Sequence, residues 1–196
     1  MAPEDQVKTD LRDVQAVRKV LAGDRSAFRE LVTRYTDPIY SLAYRMTGSF
    51  EDAQEAVQEI FAKVYQKLNS YDPDRRFFTW VYTVALNHLR SLGRSNKRKG
   101  KGEVLSLDVG LDRVVSSSTE GSPEGHALRS EAGQLIERAL RQLREEHRTV
   151  FVLRHMEHLE VREVAEVTGL PENTVKTHDR RAKQKLREII ISYGWK

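Results

Sequence analysis

Apolar residues recur three and four positions apart along almost all of this chain, and no segment alternates apolar with polar for long enough to require a sheet. The clearest run is Ala53, Ala56, Val57, Ile60, Phe61, Val64 and Leu68, which predicts a helix from about residue 50 to 69, with Ser49 and Asp52 resembling a capping box at its start. Leu11, Val14, Val17, Val20 and Leu21 predict an earlier helix ended by Gly23. Ala27, Phe28, Leu31, Val32 and Tyr35 begin a second, which Asp37-Pro38 is expected to break or restart. After a turn at 71–74, FFTWVYTVALNHLRSL has helical length and a stop at Gly93, although its β-branched residues leave a strand open there. The fold class is predicted to be all-α.

Between Gly93 and Glu124 the chain turns rich in Gly, Ser, Lys and Asp, the composition of a flexible linker. Beyond it, Leu128, Ala132, Leu135, Ile136, Ala139, Leu140 and Leu143 predict one helix, and Val150, Phe151, Val152, Leu153 and Met156 a second. Two further helices follow in EVAEVTGLPENTVKTHDRRAKQKL, residues 163–186. Gly169 suits the positive φ of a helix C-terminus and Pro171 the first turn of a new helix. The reading is a helix-turn-helix, and the whole is two helical modules without an internal repeat.

On the last helix Val175, Ala182, Leu186 and Ile189 fall on one face, while Asn173, Lys176, Thr177, Arg180 and Gln184 fall on another. Lys176 to Arg187 carries six basic side chains against one acid, Asp179, whereas Glu157 to Glu172 carries five acids against Arg162. A run of charge alone is usually a solvated helix surface; the turn and the segregation together favour a contact surface. Asp179 lies four residues after Val175, on the packing face, so its carboxylate is expected to find a partner or partial exposure.

The net charge of +4 is modest but uneven: residues 1–90 balance thirteen bases with thirteen acids, and Arg94 to Lys101 then adds five bases without an acid. The middle and C-terminal parts therefore call for a polyanionic partner, nucleic acid being the economical choice. With no cysteine, thiolate chemistry, disulfides and Cys-ligated zinc are excluded. MAPEDQVKTD is unlike a signal peptide and no apolar run approaches the roughly 20 residues of a membrane span, so a soluble cytoplasmic protein without membrane insertion is expected.

Residues 71–90 mix Tyr71, Phe77, Phe78, Trp80 and Tyr82 with Arg75, Arg76, Asn87, His88 and Arg90, a set suited to stacking bases and neutralising phosphates. For Trp80 alone, packing in the core is the favoured reading; for the paired arginines with Asn87, a nucleic-acid surface is. Asp52, Glu55, Gln58 and Glu59, with Glu51, give the helix before that loop an acidic, amide-rich edge that could dock a basic protein helix. On spacing alone it is ordinary solvation.

DAQEAVQEIFAKVY at 52–65, FFTWVYTVALNHLRS at 77–91 and EVAEVTGLPENTVKT at 163–177 resemble, in order and separation, the bacterial extracytoplasmic-function sigma factors. The likeness runs from about Val14 to Ile190. It implies that residues 10–93 form sigma region 2 and 125–196 region 4, joined by a flexible connector over 94–124, in a subunit of RNA polymerase holoenzyme. Matching positions implies that Asp52, Glu55, Gln58 and Glu59 grip the clamp helices of the largest core polymerase subunit. Tyr71, Asp72, Arg75, Arg76 and Phe77, with Phe78, Trp80 and Asn87, would receive a flipped base of the melted minus-ten element. Lys176, Thr177, His178, Arg180, Arg181 and Lys183, helped by Asn173, Thr174 and Arg154, would face the minus-thirty-five duplex in the major groove. Family members usually have an apolar residue where Asp179 stands and often Arg where His178 stands. The family often implies an anti-sigma factor as a further partner.

A connector of about 30 residues spans roughly 30 Å as a coil and up to about 100 Å extended. Two promoter elements under two helical turns apart need roughly 55 Å, so the polymerase surface would have to stretch and guide it. No catalytic set stands out. His155, Glu157 and His158 lack HExxH spacing and a third ligand, so neither metal nor cofactor is expected. The competing reading is a regulator of the response-regulator type, because TVKTH at 174–178 also resembles that group's recognition helix. The N-terminal half lacks the alternating strands of a receiver domain.

Overall fold

The computed structural model describes residues 3–98 and 131–194. They form α1 (Pro3–Leu21), α2 (Ser26–Thr47), α3 (Phe50–Lys67) with a 3-10 turn at Leu68–Ser70, α4 (Phe77–Arg98), α5 (Glu131–Arg141), α6 (Glu145–Phe151) running into a π-helical turn at Val152–Met156, α7 (Val161–Thr168) and α8 (Glu172–Ser192). No strand occurs among the described residues, so the segment 77–92 left open above is helical. The chain divides into two units, one drawn from Met1–Leu92 and Arg162–Leu170, the other from Gly93–Val161 and Pro171–Lys196. The stretch expected to be a connector lies outside the described residues from 99 onward, as do Leu128 and its neighbours.

In the first unit α1 and α3 both pack on α2, and the core takes most of the residues the periodicity marks: Val17, Val20, Leu31, Tyr35, Ala53, Ala56, Ile60, Phe61, Val64 and Leu68 are buried, while Val14, Phe28 and Val32 are half-buried. Each large side chain removed from water contributes roughly 2 kcal/mol, which outweighs local propensity. That balance explains Pro38. Rather than breaking there, α2 continues through it to Thr47, because Ile39, Leu42 and Ala43 just beyond are fully buried and hold the backbone helical against the missing N–H. The α2–α3 junction is sharp. Gly48 takes φ +74 and donates its N–H to the Tyr44 carbonyl at 2.8 Å, and Ser49 Oγ accepts from the Asp52 N–H at 3.2 Å.

Two further expectations are corrected. Helix α4 does not stop at Gly93 but runs to Arg98. A glycine inside a helix costs about 1 kcal/mol, and with no proline behind it and no positive φ at Gly93 nothing forces a stop. Leu11 and Leu21 stay 60% and 50% exposed, because α1 turns Asp13, Ala16, Val17 and Val20 inward instead. In the second unit α5 and α6 pack on α8 around Leu135, Ala139, Leu140, Leu143, Val150, Val152, Leu153, Val175, Ala182, Leu186 and Ile189, while Ile136 is left at the surface.

Candidate nucleic-acid interface

The loop after the 3-10 turn in the first unit is shaped by its own polar groups. Tyr71 is buried and donates its hydroxyl to the Arg75 carbonyl at 2.6 Å, the Asp74 N–H caps the Asp72 carboxylate at 3.0 Å, and Asp72 and Arg75 side chains stand 3.7 Å apart in solvent. Burial first, then the Asp13, Asp10 and Asp72 charges, push the Tyr71 phenol up to about 12, so it stays a hydrogen-bond donor at any physiological pH.

Beneath the loop lies an aromatic stack. Phe77 is a core residue, edge-on to Tyr71 at 5.1 Å and to Tyr35 at 5.6 Å. It supports the loop rather than offering a surface. Trp80 is half-buried, 5.5 Å from Tyr71 and 5.6 Å from Phe77, between the core and surface readings of the sequence. Phe78 lies 4.3 Å from Tyr82 and under the Arg76 guanidinium at 5.7 Å. Arg76 Nε donates to Asp10 at 3.1 Å and its Nη1 to Glu163. Arg75 reaches Glu166 at 3.4 Å, both glutamates lying within the Arg162–Leu170 segment of this unit. A notch of about 250 Å³ opens beside the loop, lined by Leu11, Val14, Tyr71, Pro73 and the two arginines among others. Asn87 is exposed on α4.

The acidic edge is exposed throughout: Asp52, Glu55, Gln58 and Glu59 all face solvent on α3, opposite its buried stripe. One residue beside it, grouped by sequence with the nucleic-acid surface, lies inside instead. His88 of α4 is buried, with Nδ1 accepting from Lys63 Nζ and Nε2 3.4 Å from Glu59. Burial first, then the Lys63 charge, hold this imidazole below the usual histidine value, against the opposing pull of Glu59. The sequence held a signal, since His88 lies one turn after the buried Val84 and Ala85, but its pairing with residue 63 is tertiary.

The turn before α8 follows expectation. Gly169 takes φ +71 with its N–H on the Ala165 carbonyl at 2.9 Å, and the Pro171 carbonyl accepts from Thr174 and Val175 at 2.9 and 3.0 Å. On α8, Val175, Ala182, Leu186 and Ile189 are buried; Asn173, Lys176, Arg180, Arg181 and Lys183 are exposed; Thr174, Thr177 and His178 are half-buried. Thr177 Oγ bonds back to the Asn173 carbonyl at 2.8 Å, and the His178 ring stands edge-on to His147 at 5.1 Å. Arg154, half-buried, donates from its guanidinium to the Leu159 carbonyl. Asp179 has the partners its position demands: His155 Nε2 at 2.6 Å and Lys183 Nζ at 2.9 Å. His155 is thus a structural neighbour of α8 that sequence spacing did not reveal. No cluster of three metal-ligating side chains exists among the described residues.

Residues 31–99 match the model of sigma-70 region 2 and residues 133–186 that of sigma-70 region 4. The ECF RNA polymerase sigma factor SigW of Bacillus subtilis (strain 168) is 33% identical over 179 residues, spanning 89% of this chain and 94% of that protein. This chain is an ECF sigma factor. The RNA polymerase sigma-H factor of Pseudomonas aeruginosa is 32% identical over 93% of this sigma factor and 95% of its own length. A solved sigma factor RpoE from Bartonella quintana, in complex with the anti-sigma factor NepR, shares the fold with a TM-score of 0.66 at 20% identity, covering 83% of this sigma factor and 96% of that chain. The ECF sigma factor described here is accordingly an alternative sigma factor directing promoter-specific transcription, and the response-regulator reading is not favoured.

Proposed function

We propose that residues 10–93 bind core RNA polymerase and open the minus-ten element, that residues 125–196 read the minus-thirty-five duplex, and that 94–124 connects them. The chain works as a specificity subunit and catalyses nothing itself. Exposed Asp52, Glu55, Gln58 and Glu59 offer a basic helix of the polymerase clamp a row of carboxylates. Tyr71, Asp72, Arg75, Arg76, Phe78, Trp80 and Asn87 receive the unpaired strand over a loop that Phe77 supports from below; phosphates would displace the carboxylates now on Arg75 and Arg76. Promoter duplex meets Asn173, Thr174, Lys176, Thr177, His178, Arg180 and Arg181 of α8, with Arg154 holding the preceding loop. An anti-sigma factor is an expected partner, as in the RpoE–NepR complex, and the working place is the cytoplasm; no helix among the described residues is long and apolar enough to cross a membrane.

The observation that carries this reading is the division of α8 into a fully buried apolar face and an exposed face of lysine, arginine and asparagine. Run-off transcription with purified core polymerase tests it. The chain is expected to direct initiation from defined start sites while binding free duplex weakly. Tight unaided binding to a palindrome, with no initiation, would overturn it.

A further inference from the structure

A carboxylate among the packing residues of a reading helix needs a reason. Along α8, Val175, Ala182, Leu186 and Ile189 are buried hydrocarbon, and Asp179 occupies the same side one turn after Val175. Both of its oxygens are engaged: Oδ1 accepts from His155 Nε2 at 2.6 Å, and Oδ2 accepts from Lys183 Nζ, one turn further along α8, at 2.9 Å. Burial by itself would raise the Asp179 carboxyl, but the Lys183 and His155 hydrogen bonds together hold it below the usual carboxylate range, so it carries its charge.

His155 comes from the π-helical turn at Val152–Met156, closed by the Glu157 N–H on the Val152 carbonyl at 3.0 Å. Single π turns inside helices often mark functional positions. The wider turn changes the angular phase of the residues within it, and the His155 ring is braced by Phe151 at 4.7 Å. The tie therefore fixes α8 beside Lys176 and Arg180, which flank Asp179 by three residues and one and point outward. Lys183 is about half exposed, yet its amine is turned back onto Asp179. A free lysine there would meet a phosphate, a contact blind to base sequence.

We propose that Asp179 is a specificity-determining positioning residue: through His155 it seats the reading helix on the π-helical turn, and it withholds Lys183 from the DNA backbone. The inference rests on the reading of α8 as the duplex-reading helix. Its two consequences are separable. Loss of the His155 tie relaxes base selection, and release of Lys183 raises sequence-blind affinity with one more counterion displaced.

Full-length chain is combined with core polymerase and presented with promoter DNA randomised over its upstream element; binding to the selected and to a scrambled duplex is then followed against salt. Wild type is expected to select a defined sequence. Asp179→Leu, which fills the site with apolar packing, is expected to bind scrambled duplex several-fold more tightly, with a salt slope steeper by about one, and to discriminate less. Lys183→Gln added to Asp179→Leu removes that steepening. His155→Ala relaxes selection while leaving the slope as it was. Should Asp179→Leu fail to fold by circular dichroism, Asp179→Asn, which keeps the shape and drops the charge, is expected to steepen the slope in the same way. A folded Asp179 variant with wild-type selection and slope overturns the proposal and leaves the reading of α8 standing. A wild-type holoenzyme that selects no upstream sequence overturns both.

Discussion

Asp13 of α1 and Tyr35 of α2 share a buried hydrogen bond, with the phenol donating to one carboxylate oxygen and Arg34 donating to the other. Asp13 has no exposed surface, and Tyr35 in turn packs on Phe77, so this bond links the first helix to the floor of the 71–77 loop. Burial raises the Asp13 carboxyl despite the opposing bonds from Tyr35 and Arg34. Asp13→Ala strands a buried phenol and a half-covered guanidinium and is expected to cost roughly 2–3 kcal/mol in urea unfolding. Asp13→Asn, which still accepts from Tyr35, should cost less. Equal losses for the two variants would show that the phenol bond contributes nothing.

Pro38 lies in the middle of α2 with buried residues on either side. Pro38→Ala restores an N–H to the helix ladder and is expected to raise stability by about 1–3 kcal/mol, read as a higher Tm. A lower Tm would mean that the ring itself is needed for packing in this unit.

The buried His88 gives the first unit a pH dependence of known sign. Its folded-state value lies below that of the unfolded chain, so its contribution is complete above the ordinary histidine value of about 6.5 and is lost as pH falls through the lowered value. Urea midpoints measured between pH 8 and 5 should fall toward acid, and His88→Gln should flatten that fall. An unchanged slope in the variant would assign the acid sensitivity elsewhere.

Polymerase binding and strand opening are expected to separate by mutation. Glu55→Ala with Glu59→Ala should weaken core binding about tenfold while leaving the opening of promoter by saturating holoenzyme near normal. Asn87→Ala should do the reverse, reducing open-complex formation about ten- to a hundredfold at unchanged core affinity. Competition binding and permanganate footprinting read the two steps. Loss of both by either variant would undo the separate assignments.

Most of the fold was legible because each helix buries one stripe: the residues picked by spacing on α3 and α8 are the residues that disappear from solvent. What escaped depends on contacts between helices. Pro38 reads as a break locally and is overruled by Ile39 and Leu42; Gly93 reads as a stop and is simply passed over. The exposed faces with Asn87, Lys176 and Arg180 were also legible, since polarity opposite a stripe predicts exposure. The bond from Arg154 to the Leu159 carbonyl was not, because that partner lies beyond a π-helical turn that no periodicity announces. The partners of Asp13, His88 and His155 were hidden for the same reason: each is a polar residue on a packed face, and only the helix opposite reveals what it meets.

Trp80 rests half-covered against Tyr71 and Phe77, and the chain has one other tryptophan, Trp195. With Trp195 replaced by Phe, the indole at the loop becomes the single tryptophan of the chain. If the proposed strand-receiving role holds, a base stacking on that indole is expected to quench its emission, and stopped-flow fluorescence excited at the tryptophan edge would time the arrival of a single-stranded oligonucleotide.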